Sequence, residues 1–258
     1  MKKAILLTLC LLLAAPLLAG TRSIDESRKA DPDAEVSIEL IAGKIHVVAW
    51  DRDEVRVSGT INDEWEEFEM EGEGDDISIE ISPPEGKHRN IELEADLEIS
   101  VPAGVELSFE TVSSPIRVDG LRGSVSIETV SGNVDIKSDL EELEIEAISS
   151  SVDIEATSRL RSASVEIVSG SVEMDGDLHP SGDYSFSAVS GTITLRVPSN
   201  AAADYEIETF SGNIDNDFGP KPEKAEFLPS KSLSFSVGSG GADVVIETLN
   251  GTIRLESN

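Results

Sequence analysis

Acidic residues recur at one position of a repeated sequence pattern, and carboxylates in such a row are the side chains of this protein best suited to bind a ligand. The first acidic position is shared by Glu39, Glu110, Glu128, Glu146, Glu166, Glu208 and Glu247, with Ser187 in the same place once. The second is shared by Asp135, Asp153, Glu173 and Asp215. Ca²⁺ takes six to eight oxygen ligands, which rows of carboxylates supply. The candidate Ca²⁺ ligands are Glu110, Glu128, Glu146, Glu166, Asp135 and Asp153.

The alternative interpretation of both rows is a solvated acidic surface. The sequence has no Asp-rich loop and no Gly-Gly-x-Gly-x-Asp nonapeptide that would gather carboxylates around one ion. Exposed charge keeps a strand-rich protein soluble and prevents sheets from pairing edge to edge. The sequence therefore favours a protein without a cofactor, and Ca²⁺ binding stays as the less favoured alternative.

The serines and histidines do not form a pattern typical of catalysis. Serine recurs beside glycine throughout the chain, whereas a catalytic nucleophile is needed only once, and the Gly-x-Ser-x-Gly turn of hydrolases is absent from the sequence. His46, His88 and His179 lie far apart and match no metal-ligand spacing. We therefore predict no catalytic residues and a protein that is not an enzyme.

The elements that must position the acidic rows are two short strands in each repeat. The clearest copy, residues 125–136, reads Val-Ser-Ile-Glu-Thr-Val-Ser-Gly-Asn-Val-Asp-Ile. Val125, Ile127 and Thr129 alternate, which places them on one face of a strand. Val130 is also apolar, and two inward-facing residues in succession predict a corner. Ser-Gly then makes a turn, in which glycine accepts positive φ angles, and a second strand follows.

Eight such turns align along the chain. Four are Ser-Gly turns, at Ser131-Gly132, Ser169-Gly170, Ser190-Gly191 and Ser211-Gly212, and four are variants, at Ala42-Gly43, Ser113-Ser114, Ser149-Ser150 and Asn250-Gly251. Between residues 113 and 211 the turns lie 18 to 21 residues apart. We expect less sharp turns where Ser114 and Ser150 replace glycine. The last interval is close to two periods long and predicts a degenerate repeat over residues 233–237.

This period predicts an all-β, single-domain parallel β-solenoid, or β-helix, built from two-strand repeats of about 18–21 residues with Ser-Gly turns. One repeat cannot bury its apolar face alone, whereas stacked copies bury a continuous core. An up-and-down barrel or a sandwich would show the same alternation of apolar and polar residues, but it would not require the turn at the same position of every repeat. The solenoid domain is expected over residues 35–258, with the repeats clearest over 105–255, and a short linker is expected at 21–34.

The first twenty residues predict a secretory signal peptide. Two lysines precede an apolar run over residues 4–18, and small residues follow it, so cleavage is expected near Ala19 or Gly20. The run is too short to span a hydrocarbon core about 30 Å thick. Cys10 lies inside the run rather than after its small residues, which does not match a lipoprotein signal. Because Cys10 is the only cysteine, residues 21–258 contain no disulfide, and we expect an exported protein, periplasmic or at the bacterial cell surface.

Charge and composition narrow the classes of partner. The formal net charge of −31 excludes nucleic acid, whose binding depends on Lys and Arg, and equally disfavours anionic lipid. We expect no membrane insertion after signal cleavage, because every later apolar run is short and broken by charge. Aromatic residues make up only 4% of the chain, which is few for a carbohydrate groove lined by rings. Basic protein surfaces and cations remain the partners that charge favours.

Several segments resemble the bacterial "putative adhesin" β-strand-repeat family, an envelope domain of unknown function. The iterated Glu-Thr-Val-Ser-Gly motif is present as residues 128–132 and, with Phe for Val, as residues 208–212. Residues 101–105 resemble the Val-Pro-x-Gly segment that precedes the repeats in that family, and Val-Pro recurs at 197–198. Residues 43–51 are similar to the family's N-terminal opening. The resemblance extends over nearly the whole chain after the signal segment and implies the fold more specifically than the function.

Together these observations predict an exported, non-enzymatic envelope protein, an adhesin-like or scaffold β-solenoid that binds an envelope protein or a surface glycan. The alternative is a Ca²⁺-dependent polysaccharide-binding or polysaccharide-degrading β-helix protein. Two longer insertions are candidates for other roles. Residues 64–76, with Trp65, form a candidate binding loop, and residues 219–231 are expected to form a cap or a surface excursion.

Overall fold

The computed structural model describes residues 20–84, 86, 92–157 and 159–258, so the predicted signal peptide, apart from Gly20, and His88 lie outside the described residues. Every regular element in these ranges is a strand, which confirms the prediction of an all-β protein. The strands are β1 (Thr21–Ala42), β2 (Lys44–Trp50), β3 (Glu54–Asn62), β4 (Glu67–Gly72), β5 (Gly74–Ser82), β6 (Ala95–Pro102), β7 (Glu106–Ser113), β8 (Ile116–Asp119), β9 (Ser124–Ser131), β10 (Val134–Lys137), β11 (Glu142–Ala156), β12 (Ser162–Gly176), β13 (Asp183–Val197), β14 (Ala203–Thr209), β15 (Asn213–Asn216), β16 (Glu223–Lys224), β17 (Lys231–Val237) and β18 (Ala242–Ser257).

Equivalent strands of different repeats pair in parallel and in register. Before the turns the order of neighbours is β5, β1, β7, β9, β11, β12, β13, β18, β14. After the turns the order is β6, β2, β8, β10, β11, β12, β13, β18, β15. In β11, β12, β13 and β18 both predicted strands and the turn between them form one continuous strand. The same sequence position is therefore stacked from repeat to repeat.

Both ends of the stack depart from purely parallel pairing. Residues 21–29 of β1 pair antiparallel with β3, which also pairs antiparallel with β6. The segment 21–34, expected from the sequence to be a linker, is therefore part of a strand. At the other end β17 pairs antiparallel with β14 and β16. Residues 233–237 thus belong to an antiparallel strand rather than to the degenerate parallel repeat that the sequence predicted.

The core is a stack of apolar side chains from the inward positions of each repeat. Ile127 is buried and lies between Phe109 and Ile145 on the two neighbouring strands. Val125 and Thr129, the other members of the predicted inward set, are buried as well. Such in-register stacking removes each apolar side chain from water, which a single repeat cannot do.

Glycine at the turn lets successive coils approach closely. Gly132 and Gly170 both have φ of +138°, a region that L side chains rarely adopt. A Cβ added at Gly170 would overlap the carbonyl oxygen of Ser150 on the preceding coil. Ser114 and Ser150, which replace glycine in two turns, are buried, and their hydroxyls have no hydrogen-bond partner among the described residues.

Candidate binding groove

The seven glutamates of the first acidic position form one continuous row, which we call the acidic row. Paired residues across adjacent strands place them in the order Glu39, Glu110, Glu128, Glu146, Glu166, Ser187, Glu247, Glu208. Adjacent strands lie about 4.8 Å apart, so the row is a line of carboxylates with that spacing. Only Ser187 interrupts it, as the sequence alignment predicted.

The line of carboxylates continues beyond the predicted set. Glu80 on β5 pairs with Glu39, and Glu69 on β4 pairs with Glu80. The charge of Glu67, followed by burial and the charges of Glu71 and Glu80, raises the pKa of Glu69. The sequence alignment missed these two carboxylates because β4 and β5 precede the regular repeats.

A second row of eight exposed apolar side chains runs beside the acidic row, and we call it the apolar ladder. Its members, in stacking order, are Ile41, Val112, Val130, Ile148, Val168, Val189, Leu249 and Phe210. Their side chains are between 38% and 49% exposed. The sequence interpretation of Val130 as an inward residue is therefore wrong. Thr129 points inward and Val130 outward, since alternation continues to the corner.

The acidic row and the apolar ladder line opposite sides of one groove of about 1050 Å³. In each strand a buried residue separates the glutamate from the apolar residue and forms the floor of the groove. The floor residues are Leu40, Thr111, Thr129, Ala147, Ile167, Ala188, Thr248 and Thr209. Two pairs of these threonines are hydrogen-bonded. The hydroxyl of Thr111 donates to that of Thr129 over 2.9 Å, and the hydroxyl of Thr248 donates to that of Thr209 over 2.8 Å. The floor is thus held by hydrogen bonds across neighbouring coils.

The carboxylates of the groove lack basic partners. In the part of the chain that the structure describes, none of the seven glutamates forms an ion pair. Of the residues that the structure describes, Lys231 is the single basic one that lines the groove. Its Nζ donates to the carbonyl oxygen of Gly212 over 2.7 Å and to Oδ1 of Asn213 over 2.9 Å. The groove therefore presents seven carboxylates and one ammonium group next to apolar surface, which is an excess of negative charge.

The second acidic position has a different environment. Asp135, Asp153 and Glu173 are neighbours across β10, β11 and β12, whereas Thr194 and Arg254 separate Asp215 from them. Arg117 lies 3.5 Å from Asp135, and Arg196 pairs with Glu173. Burial, followed by the charges of Glu173 and Asp135, raises the pKa of Asp153. Arginines therefore pair with Asp135 and Glu173, and the charges of these two carboxylates still act on Asp153 between them.

The acidic positions do not converge on a point. Among the described residues, no three His, Cys, Asp or Glu side chains form a group that would hold a metal ion. Glu110, Glu128, Glu146 and Glu166 lie in one line, and Asp135 and Asp153 lie on a separate row after the turn. Of the histidines, His46 contacts Asp119 Oδ2 over 2.7 Å, and Nδ1 of His179 accepts from the backbone N–H of Ser181 over 3.2 Å.

Ser131 and Trp65 make contacts within the fold, whereas the second insertion contains an exposed phenylalanine. Ser131 donates its hydroxyl to the carbonyl oxygen of Val112 over 3.1 Å, a contact between coils. Trp65 is buried, and its Nε1 donates to the carbonyl oxygen of Glu94 over 3.0 Å, so this tryptophan belongs to the core rather than to a binding loop. In residues 219–231, which include β16, Phe227 is 89% exposed. None of the described segments forms a helix with the length and hydrophobicity that membrane crossing by a helix requires.

Comparison with known proteins places the chain within a family model described as Toastrack DUF4097, which matches residues 33–256. A solved "putative adhesin" from Bacteroides fragilis NCTC 9343 is 16% identical, with 92% of this chain and 98% of that chain covered and a TM-score of 0.49. A "putative cell adhesion protein" from Clostridium sporogenes ATCC 15579 is 15% identical, with 92% and 100% covered and a TM-score of 0.40. No match was found among curated proteins.

Proposed function

Since this chain belongs to the Toastrack DUF4097 family, a β-solenoid-like fold with no assigned ligand, we propose from its geometry that it is a non-enzymatic interaction protein that binds its partner along the groove. One observation carries the proposal, namely that an exposed apolar ladder runs over eight neighbouring strands beside an acidic row that forms no ion pair with any described residue. Surfaces of soluble proteins rarely expose contiguous apolar patches of this extent unless they bind something. Unpaired carboxylates beside such a patch add selectivity for a basic partner.

The architecture that we propose is the parallel β-solenoid predicted from the sequence, with repeats of about 18–21 residues, closed at both ends by antiparallel strands. Parallel, in-register pairing of equivalent strands supports it. In a solenoid the sides of the coils form extended binding surfaces. The groove is such a side surface.

We further propose that the protein is exported and acts in the bacterial envelope, in the periplasm or at the cell surface. The basic start and apolar run of residues 1–20 support cleavage near Ala19 or Gly20. Among the envelope partners predicted from the sequence, a protein suits the groove better than a glycan, because Phe210 is the only aromatic residue that lines it in the described part of the chain. N-terminal sequencing of the protein recovered from envelope fractions tests this location, and an intact Met1 there would refute cleavage.

Site-specific photo-cross-linking tests the groove directly. Residues 21–258 contain no cysteine, so a single cysteine carrying a photo-cross-linker can be placed at Val168 in the apolar ladder. The matched control is Glu144→Cys, which lies outside the groove on an exposed position of β11. With an envelope extract we expect a discrete adduct from the Val168→Cys protein and none from the control. Equal adducts from both positions would refute the groove as the binding surface.

The alternative function, Ca²⁺-dependent polysaccharide binding or degradation, is tested with the same protein. A specific Ca²⁺ site raises the unfolding midpoint beyond the effect of NaCl at equal ionic strength. We expect equal midpoints in the two salts, because carboxylates in a line do not surround one ion. An additional shift in Ca²⁺, or new reducing ends released from a polysaccharide panel, would favour the alternative instead.

A further inference from the structure

We propose that the occupant of the groove is a basic amphipathic α-helix of a partner protein. This inference rests on the proposed function, and it adds the chemistry and the conformation of the partner. It follows from three properties of the groove, which are its charge, its exposed apolar surface and its repeat distance.

Charge determines which classes of partner can approach. The seven glutamates of the acidic row form no ion pair among the described residues, and the chain carries a net charge of −31. Nucleic acid and anionic lipid are repelled by such a surface. A second copy of this chain would bring two acidic rows together. The partner must therefore present several Lys or Arg side chains along a line.

The apolar ladder requires a second chemical property of the partner. Its eight side chains would remain in water if the partner offered only positive charge, as a polyamine does. Covering them contributes to binding in proportion to the apolar area removed from water. A partner that fits both rows carries a basic stripe beside an apolar stripe. The two rows are two residues apart along each strand, or about 6.6 Å, which is a distance that neighbouring stripes of one helix can match.

The repeat distance distinguishes a helix from an extended segment. Successive positions of both rows are about 4.8 Å apart, and a helix places one residue of a given stripe on each turn, every 5.4 Å or so. An extended segment places side chains of one face about 6.6 Å apart, a larger mismatch at every step. Eight strands span about 34 Å, which corresponds to a helix of about 22 residues. Flexible Lys and Leu side chains absorb the remaining difference of about 0.6 Å per turn.

Fluorescence anisotropy with three labelled peptides of about 22 residues tests the proposal. The first peptide has a Lys stripe beside a Leu stripe at helical spacing, the second has the same composition in strict Lys-Leu alternation, and the third is scrambled. We expect the first peptide to bind most tightly to residues 21–258 and to gain helical circular dichroism on binding. Its affinity should fall as salt is added, because the acidic row contributes through screened charges.

Matched variants of the protein show whether the first peptide binds in the groove. Replacing Glu128, Glu146 and Glu166 by Gln should weaken binding of the first peptide by about tenfold or more, and so should replacing Val130, Ile148 and Val168 by Ser. The control replaces Glu106, Glu142 and Glu144 by Gln, which changes net charge equally on exposed positions outside the groove. We expect the control to bind within about twofold of the parent. Unchanged unfolding midpoints verify that every variant is folded.

Three results would overturn the inference. Equal losses in the control variant would indicate general charge attraction, and tighter binding of the alternating peptide would indicate an extended partner. Failure of the first peptide to bind would exclude a basic helix as the occupant. If the Val168 cross-linker nevertheless captures a discrete partner, the proposed function stands and only the helix is refuted. If neither experiment gives binding at the groove, both are refuted.

Discussion

Asp153 illustrates how neighbouring negative charges destabilise one carboxylate in a highly acidic sequence. It pairs with Asp135 on one side and Glu173 on the other. Burial, then the charges of Glu173 and Asp135, raises its pKa, while Lys137 lowers it by a smaller amount. A carboxyl whose pKa is higher in the folded than in the unfolded protein destabilises the fold when ionised. Its penalty is therefore present at neutral pH and disappears as pH falls through the folded-state pKa.

We predict that Asp153→Asn raises the unfolding midpoint by about 1 to 3 °C at pH 7, because like charges paired directly across strands are destabilising. The advantage over the parent should shrink as the pH falls through the raised pKa of Asp153 in the folded protein, because the carboxyl of the parent is then neutral as well. Differential scanning calorimetry at several pH values measures both effects.

The control for this prediction is Asp135→Asn. Asp135 lies 3.5 Å from Arg117, whereas Asp153 forms no ion pair among the described residues. We expect its replacement to give no gain at pH 7. A stabilisation equal to that of Asp153→Asn would mean that the overall negative charge, rather than the local row, determines the effect.

At the scale of the strand, alternation determines which apolar residues form the core and which form the apolar ladder. Ile145 and Ile148 lie in β11. Ile145 is fully buried, whereas Ile148 is 49% exposed. Because both residues are isoleucines in the same strand, replacing each of them measures how much burial contributes to the free energy of unfolding at constant residue type.

We predict that Ile145→Ala lowers the free energy of unfolding by about 2 to 5 kcal/mol, whereas Ile148→Ala lowers it by less than about 1 kcal/mol. Urea unfolding followed by circular dichroism measures both. Comparable losses would show that Ile148 supports the fold, and the apolar ladder would then be part of the core rather than a binding surface.

Much of the strand pattern and the acidic row could be predicted because one short motif recurs at the same place in each repeat. Glu110, Glu128 and Glu146 occupy the same motif position, so parallel stacking of the repeats places them side by side. The apolar ladder could not be recognised in the same way. Thr129 and Val130 are both compatible with a buried position, and the sequence does not state at which of them the chain bends. An apolar residue at the same place in all eight aligned repeats was the available signal.

At the scale of the whole molecule, the order of strands in the sheet differs from their order in the chain. The last strand, β18, lies between β13 and β14, and β1 lies between β5 and β7. The repeats share one motif, so the motif alone does not indicate which strands are neighbours in the sheet. The motif likewise does not indicate the direction of β17, an antiparallel strand at residues that were predicted as a degenerate parallel repeat. Leu233 is buried and Phe235 stacks on Tyr205 at 4.8 Å, contacts that alternation permits in either direction.

The position of β18 predicts how the protein responds to truncation. Removing residues 242–258 would take away the strand that joins β13 to both β14 and β15, together with its buried side chains, among them Val244, Ile246 and Ile253. In a stack built in chain order, the same truncation would only remove the last coil. We therefore predict that the truncated chain loses cooperative thermal unfolding and exposes apolar surface, as measured by calorimetry and by dye binding.

A comparable change elsewhere should be tolerated. Replacing residues 220–229 by a short Gly-Ser bridge removes an exposed excursion that contains only the two-residue strand β16. We expect this variant to unfold cooperatively within a few degrees of the parent, about 5 °C at most. If the truncated chain also unfolds cooperatively at nearly the parent temperature, β13 and β14 must pair directly without β18. The inserted last strand would then be a peripheral addition, and the groove would remain continuous without Glu247 and Leu249.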